Sequence, residues 1–321
     1  MGTDNRRNNR IMDVTLRDGG LVNDFRFTDD FVSALYEADC AAGVDMIEFG
    51  YKASKRLFSP EQYGEWKFCE EQSIERILNK TGKKEIKISV MADVGRTDYR
   101  QDITDKQSSV IDIVRVAAYS REIMEALSMI EYIKAKGYYV TCNIMALSTD
   151  SDETIRRCLE LLGQSPVDGI YIVDSYGAFY PDAIRSHTEL FMEYADKYGK
   201  EIGIHAHNNQ QLAFANTITA YEGGASLLDA SMSGMGRGAG NCRMELLLAY
   251  LKNEHRRIEP VLQFVSEYME PLRQSGVIWG YDTPYLISGM LNQHPRTAIA
   301  MTQEQNQNYV EYYHQLTGGN E

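Results

Sequence analysis

Short apolar segments alternate along the chain with amphipathic segments, and this alternation predicts strands that are each followed by a helix. Several of the short segments are almost continuously apolar, which is typical of parallel strands covered on both faces. We predict eight strands, at residues 11–18, 44–51, 86–92, 111–118, 138–146, 169–174, 202–207 and 227–233.

The longer segments carry the start and stop signals of helices. Thr28 is placed to cap the first helix, which ends at Gly43. The acidic pair Asp29 and Asp30 suits the first turn of that helix. Further helices are predicted at about residues 61–78, 121–136, 151–162, 182–198, 210–221 and 242–253.

Eight strand–helix units in roughly 250 residues match the size of a (β/α)8 TIM barrel, and we predict this α/β fold. The alternative is a doubly wound open sheet, which usually carries a glycine-rich fingerprint after its first strand. The Gly19-Gly20 pair is not that fingerprint. We expect residues 1–254 to form the catalytic barrel domain and residues 255–321 to form a C-terminal helical extension.

Composition narrows the range of functions. The 321 residues are 43% hydrophobic and 25% charged, with a formal net charge of −13, which argues against a nucleic-acid-binding surface. No apolar run approaches the ~20 residues that span a bilayer. The polar first ten residues are not a secretory signal, and the five cysteines lack paired spacing, so we expect a cytoplasmic protein with reduced thiols.

His205 and His207 stand two residues apart at the end of an apolar run. In a strand, side chains two residues apart leave the same face, so both imidazoles can reach one ion. Histidine is the commonest metal ligand. This stretch alone leaves open the alternative of two buried, hydrogen-bonded histidines.

Polar residues gather where the predicted strands end, which is the face of a TIM barrel that carries the active site. Such groups are costly to bury unless they have partners. They are Arg17 and Asp18 at the end of strand 1, Glu48 on strand 2, Asp93 at the end of strand 3, Asn143 on strand 5, Asp174 and Ser175 at the end of strand 6, the two histidines, and the glycine-rich segment 234–241. We expect substrate contacts from Arg17, Asn143, Ser175 and Gly236.

Asp18 is the natural third ligand, and its alternative role is that of a turn or cap carboxylate. Arg17 suits an oxyanion because its guanidinium is planar and permanently charged, although a salt bridge to Glu48 or Asp174 would also explain it. Asn241 follows four glycines, which let the backbone approach a bound group closely. A phosphate-binding nest or a flexible loop is the alternative there.

Five motifs carry a resemblance to a known family. They are TLRDG at 15–19, IEFG at 47–50, VDSYGA at 173–178, HAH at 205–207 and GMGRGAGN at 234–241. Together they resemble the signatures of the DRE-TIM metallolyase family, whose branches include 4-hydroxy-2-oxovalerate aldolase, HMG-CoA lyase and acyl-CoA-condensing synthases. The match extends over about residues 11–245 in the same order, and the aldolase branch looks closest.

The resemblance implies a divalent metal ion held by Asp18, His205 and His207, with Asn241 as a fourth ligand or a close neighbour. It also implies that Arg17 stabilises an enolate. Mn²⁺ or Mg²⁺ is expected, and Zn²⁺ suits the same ligands.

The chain departs from the aldolase pattern at the general base. The aldolase has a histidine shortly after the LRDG motif, where this chain has Gly-Leu-Val-Asn at 20–23. His294, Glu48 and Tyr285 are our candidates for moving the proton. The stretch 280–286 is similar to a helical cap whose tyrosine enters the site, so that Tyr281 or Tyr285 is its counterpart. The acyl-CoA branch differs too, because its Glu-Arg pair is absent from the glycine-rich segment.

We therefore expect a metal-dependent aldolase (an aldehyde-lyase) that acts on 4-hydroxy-2-oxo acids through the enolate of a pyruvate-type 2-oxo acid. The alternatives are a Claisen-type enzyme that condenses an acyl-CoA with a 2-oxo acid, and a non-catalytic barrel that serves as a partner subunit. The expected partners are a 2-oxo acid and an aldehyde, a second copy of the chain and, from the resemblance, a dehydrogenase, with no nucleic acid and no membrane. Tyr309, Tyr312 and Tyr313 would either form an interface or pack within a C-terminal helix.

Overall fold

The computed structural model of the protein describes residues 9–82 and 84–318, so the polar segment 1–8 and the last three residues of the predicted extension lie outside it. Eight parallel strands form a closed barrel in sequence order. The barrel closes where the first strand pairs with the eighth, Asp13 opposite Ala230. The strands are β1 (Arg10–Asp13), β2 (Met46–Tyr51), β3 (Lys87–Asp93), β4 (Ile113–Tyr119), β5 (Tyr139–Met145), β6 (Gly169–Asp174), β7 (Glu201–Ala206) and β8 (Leu227–Ala230). The predicted (β/α)8 fold is confirmed.

Helices surround the barrel and continue beyond it. They are α1 (Thr15–Gly19), α2 (Asp29–Ala42), α3 (Glu71–Thr81), α4 (Tyr99–Asp102), α5 (Ile123–Ala135), α6 (Asp152–Gln164), α7 (Pro181–Tyr198), α8 (Ala213–Gly223), α9 (Met244–Tyr250), α10 (Glu259–Phe264), α11 (Glu270–Gln274), α12 (Thr283–Met290), α13 (Arg296–Gln303) and α14 (Tyr309–Thr317). Within residues 9–82 and 84–318, none of these helices is both long enough and apolar enough to cross a membrane.

Helix α2 begins and ends as its sequence predicts. The Thr28 hydroxyl accepts a hydrogen bond from the Phe31 N–H at 3.2 Å, which satisfies a backbone donor of the first turn. Gly43 ends the helix in the left-handed conformation, with φ +75°. A side chain there would also collide with the backbone, because a Cβ would lie 2.2 Å from the His255 carbonyl oxygen.

The first strand is shorter than predicted, and this changes where two site residues lie. β1 ends at Asp13, and the chain turns at once into helix α1. The Asp13 carboxylate accepts hydrogen bonds from the N–H of Thr15 (2.7 Å) and from its hydroxyl (2.9 Å), which favours this turn. Arg17 and Asp18 therefore lie on a helical turn and not at the end of a strand, so that prediction was wrong.

Two other boundaries differ from the prediction. β8 ends at Ala230, and Ser233 belongs to a short helical turn in which its own φ is +53°. The helix predicted from residue 61 begins only at Glu71, because a 3-10 turn at Glu65–Lys67 and a positive φ at Cys69 precede it. These turns arise from loop packing, which hydrophobic periodicity does not report.

The helical C-terminal region packs on two parts of the barrel. α10 packs on α2, where the rings of Phe31 and Phe264 meet edge to face with centroids 5.2 Å apart. Helices α12 to α14 form a separate apolar cluster that reaches Ala239 of the glycine-rich segment. Tyr312 is buried in this cluster, and Tyr309 and Tyr313 pack beside it.

Candidate metal centre and substrate pocket

Three predicted metal ligands come together at the mouth of the barrel. Asp18 is on α1, His205 is near the end of β7, and His207 follows that strand, and all three are buried. One ligand atom from each lies within 4.8 Å of the others. Asn241 is beside them because its backbone bridges to that of His207. Asp18 precedes His205 by 187 residues and His207 by 189, yet the three form one group that is the right size for an ion.

The hydrogen bonds of the histidines decide whether this group suits a cation. Nδ1 of His207 lies 3.2 Å from the Gly240 carbonyl oxygen, which can only accept, so this nitrogen carries the proton. Nδ1 of His205 lies 3.0 Å from Oδ2 of Asp229. In the His207 ring this leaves Nε2 with its lone pair, and in the His205 ring both nitrogens are buried without a well-aligned hydrogen bond among the described residues. Orphaned acceptors of this kind fit a metal ion.

The charges at the centre also suit a cation. Burial lowers the pKa of His207 to about 3, so its imidazole is neutral, as a ligand must be. Burial alone would raise the pKa of Asp18, but the Arg17 guanidinium, the two histidines and Arg237 together outweigh it and hold that pKa below its usual value. Oδ1 of the Asn241 amide is buried without a partner in the part of the chain that is described. Asp18 thus offers a negatively charged ligand atom, and the histidines and Asn241 offer nitrogen and oxygen atoms as further ligands.

The glycine-rich segment closes around Asp18. Oδ2 of Asp18 accepts hydrogen bonds from the Arg237 N–H and from Nδ2 of Asn241, each at 3.0 Å. Gly236 lies against both partners, because a Cβ there would be 2.4 Å from Oδ2 of Asp18 and 2.3 Å from Nδ2 of Asn241. Only glycine lets the backbone at residue 236 approach the Asp18 carboxylate this closely, because any side chain would collide with it.

Arg17 is held by two carboxylates and keeps donors for a third group. Its Nε donates to Oε2 of Glu48 at 2.8 Å, and its Nη1 donates to Oδ1 of Asp18 at 2.7 Å. Its Nη2 is buried and has no partner within the described chain. The salt bridge to Glu48 that the sequence left open therefore exists, while Asp174 instead accepts from the Ala178 N–H at 2.9 Å.

Sequence reasoning missed a buried arginine below these residues. Arg115 of β4 is fully buried, and it donates to Oε2 of Glu48 at 3.0 Å and to Oδ2 of Asp229 at 2.7 Å. Its guanidinium carbon lies 4.2 Å from the ring centroid of Tyr171. Through Asp229 and Glu48, Arg115 connects His205 to Arg17. The sequence signal that could have revealed this pair is a single charged residue within each of two apolar strands, Arg115 on β4 and Asp229 on β8.

A small pocket of about 80 Å³ opens beside the metal ligands. Predicted site residues Arg17, Asn143, Ser175 and His294 lie in its wall. The remaining wall consists of Asp18, Leu21, Tyr51, Met91, Asp93, Ala117, Tyr119, Met145, Ala146, Val173, Tyr176, His205, His207 and Arg237. Oδ1 of Asn143 has no partner among the described residues, whereas the Ser175 hydroxyl accepts from the Ala146 N–H at 2.8 Å.

The three predicted proton-transfer residues occupy different surroundings. Glu48 is fully buried beneath Arg17 and lies outside the pocket wall. Tyr285 is buried in the α12–α14 cluster behind Gly238, and Tyr281 is exposed. Neither tyrosine lines the pocket. Of the three candidates, only His294 does.

His294 lines the pocket as a hydrogen-bond donor. Its Nδ1 accepts from the Arg296 N–H at 3.1 Å, so the proton of the neutral ring is on Nε2. His294 is exposed at the edge of the pocket, and partial desolvation there, followed by the charge of Arg237, lowers its pKa to about 4. A ring with a protonated Nε2 and an occupied Nδ1 can donate to a ligand but has no lone pair with which to take a proton from it.

Asp93 is the carboxyl group of the pocket wall that lies outside the metal centre. It ends β3, and its Oδ1 is buried without a hydrogen-bond partner among residues 9–82 and 84–318. Burial raises the pKa of this carboxyl above the usual aspartate value. Three nearby cations oppose the rise but do not cancel it: Arg96, Lys67 and Arg17. The sequence placed Asp93 at a strand end without giving it a role.

The barrel, the Asp-His-His group and the adjoining pocket define a TIM-barrel protein with a candidate divalent-metal site. The family model described as HMGL-like matches residues 8–266, and the chain belongs to that family. The resemblance to the DRE-TIM metallolyases is thereby confirmed.

Relatives and solved structures agree with this membership. The chain is 28% identical over 287 residues to a 4-hydroxy-2-oxovalerate aldolase of Bacillus thuringiensis, covering 86% of this chain and 82% of that one. It is 26% identical over 242 residues to an oxaloacetate decarboxylase of Mycobacterium tuberculosis, covering 75% and 69%. The N-terminal domain of a candidate aldolase from Bacteroides vulgatus superposes with a TM-score of 0.77 at 27% identity, covering 94% and 98%. These relatives support an enzyme of the lyase and aldolase type.

Proposed function

We propose that the protein is a divalent-metal-dependent aldolase that cleaves or forms the C3–C4 bond of a 4-hydroxy-2-oxo acid. The observation that carries the proposal is the placement of Arg17, whose buried Nη2 has no partner among the described residues and which lines the pocket beside the Asp-His-His group. The 4-hydroxy-2-oxovalerate aldolases among the relatives support the same reaction class.

Asp18, His205 and His207 would hold the ion, with Oδ1 of Asn241 as a fourth ligand or a close neighbour. Two neutral imidazoles with a carboxylate and an amide suit Mn²⁺ or Mg²⁺ and also accept Zn²⁺. When bound, such an ion supplies a Lewis acid that polarises the 2-oxo group of the substrate.

Arg17 stabilises the charge that develops when the bond breaks. The electron pair of the C3–C4 bond moves toward C3 and the C2 carbonyl oxygen, which becomes the oxygen of an enolate. A guanidinium N–H already fixed in place donates to this oxygen at no reorganisation cost. Glu48 and Asp18 fix the guanidinium through its Nε and Nη1.

Asp93 accepts the proton of the 4-hydroxyl. Loss of that proton turns the C4–O bond into the carbonyl of the aldehyde product, and C3 of the enolate is later protonated to give the second 2-oxo acid. Asp93 suits this role because it lines the pocket with an unpartnered oxygen and has a raised pKa. Leu21 lies in the same wall, in the stretch where the resembling aldolases have their histidine.

The test is the release of 2-oxo acid from a panel of 4-hydroxy-2-oxo acids, with Mn²⁺, Mg²⁺ or Zn²⁺ and after exhaustive chelation. We expect metal-dependent turnover that falls by about 10²–10³-fold in Arg17→Ala. Arg17→Lys is the matched variant, because it keeps the charge and loses the planar fork. Turnover that survives chelation, or release of CoA from an added acyl-CoA with a 2-oxo acid, contradicts the proposal.

A second candidate is decarboxylation of a dicarboxylic 2-oxo acid, because one relative is named oxaloacetate decarboxylase. Loss of CO₂ from C4 gives the same enolate but removes no hydroxyl proton. The two reactions therefore differ in their need for Asp93. An Asp93→Asn variant that stops aldol cleavage and keeps CO₂ release would assign the decarboxylase activity to the same centre.

A further inference from the structure

Arg237 brings a second guanidinium to the pocket. It belongs to the glycine-rich segment and lines the wall together with Arg17. Its Nη2 donates to the Ser175 carbonyl oxygen at 2.8 Å. Its Nε is buried and finds no acceptor in the described chain, and the group forms no salt bridge with a described carboxylate. One carbonyl contact thus leaves most of the five N–H donors of this cation to other partners.

The two arginines have separate anchors. Arg17 is fixed from below by Glu48 and Asp18, while Arg237 is fixed by a backbone carbonyl after β6. Holding a bond to a carbonyl requires no positive charge. The charge of Arg237 helps to lower the pKa of Asp18, but Arg237 forms no salt bridge with a described carboxylate, and its unpaired N–H groups are left for a ligand.

His294 adds a donor to the same wall. Its Nδ1 is occupied by the Arg296 N–H, so its Nε2–H is left for a ligand. Its ring meets that of Tyr176 edge to face with centroids 5.6 Å apart, and desolvation, followed by the charge of Arg237, lowers its pKa. A cation and a neutral N–H donor near each other form a suitable receptor for a carboxylate.

We propose that Arg237 and His294 form a subsite for a second carboxylate of the substrate, so that the enzyme acts on dicarboxylic 2-oxo acids. This inference rests on the proposed function of the same pocket, which assigns the 2-oxo group to the metal centre and Arg17. The pocket of about 80 Å³ restricts the choice to short chains. A volume of that size holds roughly six water-sized groups.

The experiment measures binding rather than turnover. Calorimetric titration of the Mn²⁺-loaded protein compares 2-oxoglutarate with 2-oxopentanoate, which has the same chain length and lacks the second carboxylate. We expect the dicarboxylate to bind at least about tenfold more tightly, and we expect Arg237→Gln to bring the ratio of the two affinities close to one. Arg237→Lys should restore part of the ratio through its charge. Arg156→Gln, at an exposed position on α6, is the matched control and should keep it.

His294 is tested by a pair of variants. His294→Gln keeps an N–H donor near the position of Nε2, whereas His294→Leu removes it. We expect the leucine variant to lower the affinity ratio and the glutamine variant to retain most of it. Thermal unfolding of each variant verifies the fold. If Arg237→Gln does not fold, the affinity ratio measured for Arg237→Lys tests the role of Arg237 in its place.

The outcomes separate this inference from the proposed function. Equal weakening of both acids in Arg237→Gln would mean that Arg237 binds the carboxylate they share, and it would overturn the subsite. Equal affinity of the two acids for the unaltered protein would overturn it as well. A dicarboxylate preference that depends on Arg237, in a protein that cleaves no 4-hydroxy-2-oxo acid, would uphold the subsite and refute the aldolase.

Discussion

Nη1 of Arg115 lies 3.0 Å from Oε2 of Glu48, the same oxygen that accepts a hydrogen bond from Nε of Arg17 at 2.8 Å. One fully buried carboxylate oxygen thus joins an arginine inside the barrel to an arginine at the mouth. Nη2 of Arg115 donates to Asp229, and although burial raises the pKa of Asp229, Arg115 and His205 together outweigh burial and keep that pKa below its usual value. The orientation of Arg17 and that of His205 depend on the same buried cation.

Replacing Arg115 by methionine should destabilise the protein strongly. The change leaves Glu48 and Asp229 buried without their cation, and breaking a buried ion pair in this way costs about 3–5 kcal/mol. Urea unfolding monitored by fluorescence measures the loss. Arg156→Met, at an exposed position on α6, is the control, with a change expected within about 0.5 kcal/mol.

A triple variant tests the reason for that loss. Arg115→Met combined with Glu48→Gln and Asp229→Asn removes the charges together, so we expect it to recover part of the stability. It should not recover catalysis, because Arg17 has lost the carboxylate that orients its Nε. A triple variant as unstable as the single one would show that packing, and not charge, makes Arg115 necessary.

The alternation of strands and helices, the barrel and the His205–His207 pair could be predicted because each rests on local spacing. The end of β1 could not be predicted, because buried apolar residues such as Val14 and Leu16 fit a strand and a helical turn equally well. What decides that turn is a side-chain bond from Asp13, which hydrophobicity does not record. Asp18 was predicted as a ligand from its place after the first strand and from the family resemblance, and the structure explains how a helical turn brings it to the histidines.

The partners of the buried charged residues were still harder to predict from the sequence. Arg115 and Asp229 are 114 residues apart, and only the closure of the barrel brings β4 and β8 to a shared interior. Tyr285 shows the converse case. It resembles a residue that enters the site, yet here its ring packs within the α12–α14 cluster, because the position of α12 depends on contacts with α13 and α14.

Gly236→Ala should weaken metal binding by at least about tenfold. The added methyl carbon would lie 2.4 Å from Oδ2 of Asp18, so the carboxylate must move away from the histidines. Titration of Mn²⁺ followed by electron paramagnetic resonance measures the affinity. Gly199→Ala is the control: its positive φ makes it strained, but no atom lies within 4 Å of the new carbon. An unchanged Mn²⁺ affinity in Gly236→Ala would remove Asp18 from the ligand set.

Adding the metal should raise the melting temperature, and chelation should reverse the rise. An ion that binds only the folded protein at 100 times its Kd stabilises it by about 2.7 kcal/mol. His207→Gln should abolish the shift, because the ring lends its Nε2 to the centre. His255→Gln changes a histidine whose side chain is 83% exposed and should keep the shift. A shift that persisted in His207→Gln would place the ion elsewhere.

Asp93→Asn should lower aldol cleavage by about 10²–10³-fold, because the amide cannot accept the proton of the 4-hydroxyl. The unaltered enzyme needs the carboxylate form, so its activity should rise with pH through the raised pKa of Asp93. That rise is expected at a pH above the ordinary aspartate value of about 3.9. The charged and titratable groups that face Asp93 include Glu48, whose carboxylate favours the protonated form, and the cations Arg17, Lys67 and Arg96, which oppose it. In Asp93→Asn, the remaining activity should no longer rise with pH over this range.

Stability should change in the opposite direction to activity. The folded state holds the Asp93 proton more tightly than the unfolded state, so this carboxyl favours folding at low pH. That contribution is lost as the pH rises through its raised pKa. At neutral pH the buried carboxylate therefore costs stability, and Asp93→Asn should make the protein more stable while it becomes less active, as is typical of residues retained for function. Urea unfolding at pH 5 and pH 8 measures the difference, which should be larger at pH 8. A variant that loses both activity and stability would assign Asp93 to the packing of the barrel mouth and not to proton transfer.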